Sequence, residues 1–320
     1  MTLALTMGDP AGIAPDITFG AWHALRDSGP NFVALADPDL LAAYGPIQVV
    51  DHANSAGFAH ALPVLPIRLG TPAIAGRPDA ANAPSITESI RVATGMAQHG
   101  QVRGMVTNPI TKNTLAACGI AHSGHTGYIA DLLGVPGDEV MMLASPYLRV
   151  VPVTVHVSLR TALAQLNTAA IVTAAITTHE ALIRDFAIFS PRLAIAGLNP
   201  HAGENGLMGQ EEADIIAPAI AILRAGGINA TGPYPPDTLF IASQRATYDA
   251  AICMYHDQAL IPLKTLDMAG GVNVTLGLPI VRTSPDHGTA FDIAGKGVAD
   301  PASLIAALKL ADTIAHNRGF

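Results

Sequence analysis

At 320 residues the chain is about twice a typical domain, and half of it is apolar with 13% charged and 5% aromatic residues, which excludes a disordered or low-complexity polymer. Mean hydropathy is +0.36, yet His, Arg, Asp, Asn or Pro interrupts every run approaching about 18 apolar residues, so no transmembrane helix or membrane partner is expected. Seventeen basic against twenty-five acidic residues give a net charge of −8 without a Lys/Arg cluster, which argues against a nucleic-acid partner.

The first residues, Met1 to Asp9, carry neither a basic segment nor a signal-length apolar core, and the cysteines are Cys118 and Cys253. A reducing, cytoplasmic setting without a disulfide framework is the expectation. Strands are predicted at Leu3 to Met7, Phe32 to Ala36, Ile47 to Val50, Gly104 to Thr107, Val140 to Ala144, Leu148 to Val155, Leu193 to Leu198 and Ala250 to Met254. Ala/Leu/Ile segments of helical spacing separate them, and that alternation predicts α/β architecture with largely parallel sheets. Pro15 marks a first helix start, Gly29 lies past its end, and Asp300 precedes Pro301 at the start of a final helix running toward His316. Asp286-His-Gly-Thr289 is expected to open another helix, whose free N–H groups could receive an anion or a ribose.

Four predicted strands end in polar clusters. His156 follows one, Asn199-Pro-His201 another, Tyr255-His256-Asp257-Gln258 a third, and Asn108 to Lys112 the fourth. Parallel α/β sheets bind ligands at the carboxyl ends of their strands, so these groups gather toward one rim. Three imidazoles there could hold a metal with an open position, although each alone could equally be a capping or hydrogen-bonding histidine. Glu204 and Asp257 could orient the rings; alternatively Glu204 sits in a solvated Gly-rich loop and Asp257 caps a helix. Lysine is scarce, at Lys112, Lys264, Lys296 and Lys309, and Lys264 is about two helical turns beyond His256. Asn273 and Arg282 add an amide and a guanidinium suited to a phosphate or carboxylate. No G-x-G-x-x-G, G-x-S-x-G or Walker loop is present, and His179-Glu180 has Ile183 where a zincin needs its second histidine.

Together, Gly8-Asp-Pro-Ala-Gly, Ser123-Gly-His-Thr126, Gly197-Leu-Asn-Pro-His-Ala-Gly-Glu204, Asp237-Thr-Leu-Phe240, Met254-Tyr-His-Asp-Gln258 and Gly271 to Gly297 resemble the 4-hydroxythreonine-4-phosphate dehydrogenase family of vitamin B6 biosynthesis, over Met7 to about Leu310. The resemblance implies a two-domain fold similar to isocitrate and isopropylmalate dehydrogenases, α/β/α sandwiches with the active site in the interdomain cleft. It implies a first domain of 1–105 plus 268–320 and a second of 106–267 that carries the metal ligands and the dimer interface. It further implies a homodimer, a non-Rossmann site for NAD or NADP, and a divalent metal (Zn, Mg or Co) on His156, His201 and His256, one of them from the neighbouring subunit. Carried over by motif, substrate contacts fall on His125, Thr126, Lys264, Asn273 and Arg282, and proton transfer on Lys264 or Asp257. Gly127, Ala259 and Ala14 depart from the family pattern.

The expected activity is oxidation of a secondary alcohol on a small anionic substrate, 4-phosphohydroxy-L-threonine, with decarboxylation of the β-keto acid. The Gly203 to Gly209 run and Pro235-Pro-Asp-Thr238 look more like a branch that oxidises 4-phospho-threonate or erythronate. A related branch takes aromatic cis-dihydrodiols. Rival classes are a two-domain small-molecule binding protein and a phosphoacyltransferase of related fold, neither of which needs a nicotinamide.

Overall fold

The computed structural model describes residues 1–53, 57–122 and 124–320, together with the backbone but not the side chain of Lys112. Ser123, part of one motif above, lies outside the described residues. The described strands are β1 (Leu3–Thr6), β2 (Phe32–Ala36), β3 (Ile47–Val49), β4 (Leu62–Pro66), β5 (Met105–Val106), β6 (Val140–Ala144), β7 (Arg149–Thr154), β8 (Arg192–Ala196), β9 (Asn229–Tyr234), β10 (Ala250–Tyr255), β11 (Val272–Leu276) and β12 (Arg282–Pro285). They divide between two compact units, Met1–Glu139 with Leu278–Phe320, and Val140–Gly277.

In the first unit the order is β3-β4-β2-β1-β5-β12, and every pairing among these strands is parallel. All residues of β1 and β2 are buried, as expected of strands covered by helices on both faces. Leu3, Leu5, Ile17 and Leu35 are wholly enclosed, and each such side chain contributes about 1.5–3 kcal/mol. Trp22 is also fully buried and satisfies its indole by donating from Nε1 to the Phe58 carbonyl at 2.7 Å. The second unit has the order β11-β6-β7-β10-β8-β9, antiparallel at β11/β6 and β6/β7 and parallel thereafter. Ala251 and Cys253 of β10 pack there with Ala259, Leu260 and Leu263 of the helix His256–Leu266.

The α/β expectation holds, and the eight predicted strands are present with ends that match or differ by at most two residues. Four strands were not anticipated. Prolines disguise β4 (Leu-Pro-Val-Leu-Pro) and β9, because proline removes a ladder donor and argues against a strand. Arg282-Thr-Ser-Pro285 reads as polar although all four residues are buried. The two compact units divide at 140 and 278, beside the approximate 106 and 268 that the resemblance implies. Ile129, Ala130 and Leu133 of the helix His125–Leu133 join Ile90, Ala93 and Met96 in the first unit's core, and β11 pairs with β6 in the second. The helix expected at Asp286–Thr289 does not form. Instead Thr289 gives its carbonyl to Ile13 N at 3.0 Å, and Ala290 takes a φ of 42° that a right-handed helix cannot use.

No single helix among the described residues is long and apolar enough to cross a membrane.

Candidate active site

In the second unit three neighbouring parallel strands, β7, β10 and β8, each lead into a candidate histidine. Thr154, two residues before His156, donates its hydroxyl to the Met254 carbonyl at 2.9 Å, and Met254 is two residues before His256. Gln258 accepts from Met254 N at 2.6 Å and donates to the Gly197 carbonyl at 2.7 Å. These bonds tie the carboxyl ends of the strands together where the histidine-bearing segments begin. The His156 and His256 rings lie with centroids 5.4 Å apart. His256 is the first residue of its helix and shares a 2.7 Å hydrogen bond between Nδ1 and Asp257 Oδ1, which leaves Nε2 as the nitrogen for a ligand. A cavity of about 190 Å³ is lined by Thr154, His156, Leu159, Tyr255, His256 and Asp257 among others. Lys264 shares a helix face with His256, Asp257 and Leu260 along a second, shallower pocket.

His201 occupies a different kind of structure. His201, Ala202, Gly203, Glu204 and Asn205 have φ values of 52°, 52°, 76°, 42° and 56°, a left-handed turn that costs about 1–2 kcal/mol for each residue with a side chain. His156 also has a positive φ, 53°. Unusual backbone of this kind clusters at functional positions. Among the described residues no group of three His, Cys, Asp or Glu is close enough to hold a metal ion, so one chain brings together His156 and His256 but not all three candidates. Glu204 is exposed in the turn, while Asp257 does engage His256.

The remaining candidates divide between the units. Lys264 and Asn273 belong to the second, where Asn273 Oδ1 is buried without a hydrogen-bond partner among the described residues. His125, Thr126 and Arg282 belong to the first. Arg282 is 3% exposed and donates from Nη2 to Thr107 Oγ1 at 2.7 Å; burial pushes its guanidinium down to about 10. His125 and Thr126 open the helix His125–Leu133 behind Gly124, and among the described residues no side chain caps its first N–H groups. Burial, and then the charge of Arg282, push the His125 imidazole down to about 3, so it is neutral around pH 7. A buried cation beside a neutral imidazole at a helix N-terminus is an environment that favours negative charge.

Also in the first unit, the loops after β1 and β5 are sewn together. Asn108 donates from Nδ2 to the Thr6 carbonyl and to Thr18 Oγ1, both at 3.0 Å, and Asp9 N reaches the Pro109 carbonyl at 2.9 Å. Gly8 has φ +68°, and a Cβ there would stand 2.6 Å from Asn108 Cβ, so only glycine fits. Asp9, 4% exposed and pushed up by burial, lines a cavity of about 250 Å³ with Asp79, Thr111, Asn113, Thr114 and Phe291 among others. Sequence reasoning missed Thr154, Gln258 and Thr107. Only Gln258 had a signal, its place directly after Tyr-His-Asp.

Residues 30–311 match the family model described as pyridoxal phosphate biosynthetic protein PdxA. The chain belongs to the PdxA family. A PdxA relative from Caulobacter vibrioides, named 4-hydroxythreonine-4-phosphate dehydrogenase, is 52% identical over 99% of this chain and 98% of its own. The crystal structure of the Klebsiella pneumoniae 4-hydroxythreonine-4-phosphate dehydrogenase matches with a TM-score of 0.87 at 40% identity, covering 98% of both chains. A terephthalate 1,2-cis-dihydrodiol dehydrogenase from Burkholderia xenovorans matches less well, with a TM-score of 0.66 at 29% identity over 98% of both. The chain is accordingly a dehydrogenase acting on a CH–OH group, with the isocitrate/isopropylmalate dehydrogenase-like fold of its PdxA relatives. The binding-protein and acyltransferase readings are not favoured.

Proposed function

We propose that this PdxA-family chain oxidises the secondary alcohol of 4-phosphohydroxy-L-threonine with NAD or NADP, and that the β-keto acid formed loses carbon dioxide. The observation that carries the reading is the buried Arg282 beside neutral His125 at the start of the helix His125–Leu133, a setting suited to a phosphate dianion. His125, Thr126 and Arg282 hold that phosphate, and Asn273 and Lys264 serve the rest of the substrate. The cavity at Asp9 is offered to the polar end of the nicotinamide cofactor, since a carboxyl with raised proton affinity is a good partner for hydroxyl and amide donors.

His156 and His256 fit a divalent ion: they are two neighbouring imidazoles at an open rim, and Asp257 fixes the ring of His256 with Nε2 available. Zn, Mg or Co held there with His201 would supply Lewis-acid polarisation of the substrate oxygens. Lys264 or Asp257 moves the hydroxyl proton. A homodimer in which one histidine comes from the second subunit accounts for the incomplete set in one chain. Leu159 at 65%, Leu207 at 82% and Ile261 at 63% exposure flank the histidine segments, and apolar side chains so placed are the kind a second copy covers.

Metal analysis combined with a turnover panel tests the reading. Metal-loaded protein should oxidise phosphohydroxythreonine in preference to phospho-threonate, phospho-erythronate and an aromatic cis-dihydrodiol, and chelation should abolish the rate. Full turnover after chelation, or preference for the dihydrodiol, overturns it.

A further inference from the structure

The left-handed turn that carries His201 is favoured locally at Gly203 and Asn205 but not at Ala202 and Glu204. Four of its five residues bear side chains, and Pro200 and Ala202 favour ordinary backbone. At Ala202 and Glu204 its shape must therefore be imposed by what it rests on. Glu212, 7% exposed, lies beneath it: Oε1 accepts from Leu198 N and Asn199 N, both at 2.7 Å, and Oε2 accepts from Asn199 Nδ2 at 2.9 Å. The same Oε2 lies 2.6 Å from the point a Cβ on Gly203 would occupy, so one carboxylate touches both the approach to the turn and its centre. Glu212 is itself fixed at the start of a wide helical turn, Glu212–Ile216, that leads into the helix Ala217–Ala225. Above it, Met208 N closes the turn onto the Gly203 carbonyl at 3.1 Å.

We propose that Glu212 is a positioning residue for His201: its carboxylate holds the left-handed turn and thereby aims the imidazole at the metal. This rests on the assignment of His201 as a ligand. The full-length protein is stripped with a chelator and titrated with Co²⁺, reading affinity and the visible d–d spectrum. Glu212→Gln, which keeps the size but sets an amide N–H₂ against Asn199 Nδ2, should weaken Co²⁺ at least tenfold and shift the spectrum toward that of His201→Ala. Adding Ala202→Gly, which lowers the backbone cost of the turn, should recover part of the loss; a purely structural role for Glu212 would show no such recovery. If Glu212→Gln does not fold, Gly203→Ala, which drives the turn off the carboxylate, should give the same Co²⁺ defect. Native affinity and spectrum in both variants, with His201→Ala defective, overturn the positioning role. A native result for His201→Ala instead removes the ligand assignment, and the proposal with it.

Discussion

Arg282 is a cation placed where solvent reaches 3% of its surface, with the Thr107 hydroxyl as one partner. A guanidinium in that position gains from an incoming anion far more than an exposed one would, because it has already given up its water. Arg282→Ala should raise KM for a phosphorylated substrate at least about tenfold, roughly 1.4 kcal/mol of lost binding, as steady-state kinetics would show. An unchanged KM would mean that the phosphate is held elsewhere. His125 makes a second prediction, in pH. Its imidazole sits at about 3 in the folded chain against 6.5 when unperturbed, so between those values the unfolded chain takes up a proton that the folded chain refuses. Stability therefore falls as pH drops through that window. His125→Gln should flatten the decline, measured as the urea midpoint between pH 7 and 4. A decline identical to that of the unmodified chain would show that other groups cause it.

At the scale of elements, the strand ends matter more than the strands. Thr154 and Gln258 join β7, β10 and β8 at their carboxyl ends, and Asn108 joins the loops after β1 and β5. In each case one buried side chain satisfies backbone groups of a neighbouring segment, so the loops that follow begin from fixed positions. Gly8 is the tightest point. An alanine there needs φ +68° and 2.6 Å clearance from Asn108 Cβ, and neither is tolerable to a side chain. Gly8→Ala should cost at least about 1–2 kcal/mol, read as a lower melting temperature. A melting temperature equal to that of the unmodified chain would show that the two loops separate at no cost. The predicted strands were legible because runs such as Phe-Val-Ala-Leu-Ala are apolar throughout. The strand Arg282–Pro285 was not legible, because its burial is decided by the strand and helix packed against it and not by its own polarity.

For the whole molecule, the homodimer proposed above, with its histidine set shared between subunits, would tie activity to assembly. If His156 and His256 come from different subunits, a His156→Ala variant mixed with a His256→Ala variant recovers part of the unmodified rate through hybrid dimers with one intact site. Their 5.4 Å contact within one chain favours instead that His201 is the residue contributed by the partner, in which case His201→Ala complements His256→Ala and the first mixture stays inactive. Rates measured for both mixtures separate these arrangements. Full activity of a monomer across a dilution series contradicts sharing altogether.

The sequence by itself determined the alternation of strand and helix, the family, and the residue types at the strand ends, because hydrophobic period and short motifs are local properties. Tertiary structure alone decided what those residues rest on. Glu212 is eleven positions beyond His201, Thr107 is 175 positions from Arg282, and Gln258 reaches back 61 positions to Gly197. Each is an ordinary polar residue in sequence, made a support by burial against a distant backbone or side-chain group that must be satisfied. The left-handed form of the His201 turn belongs to the same class: Gly203 and Asn205 permit it, but Ala202 and Glu204 in Pro-His-Ala-Gly-Glu-Asn-Gly do not call for it.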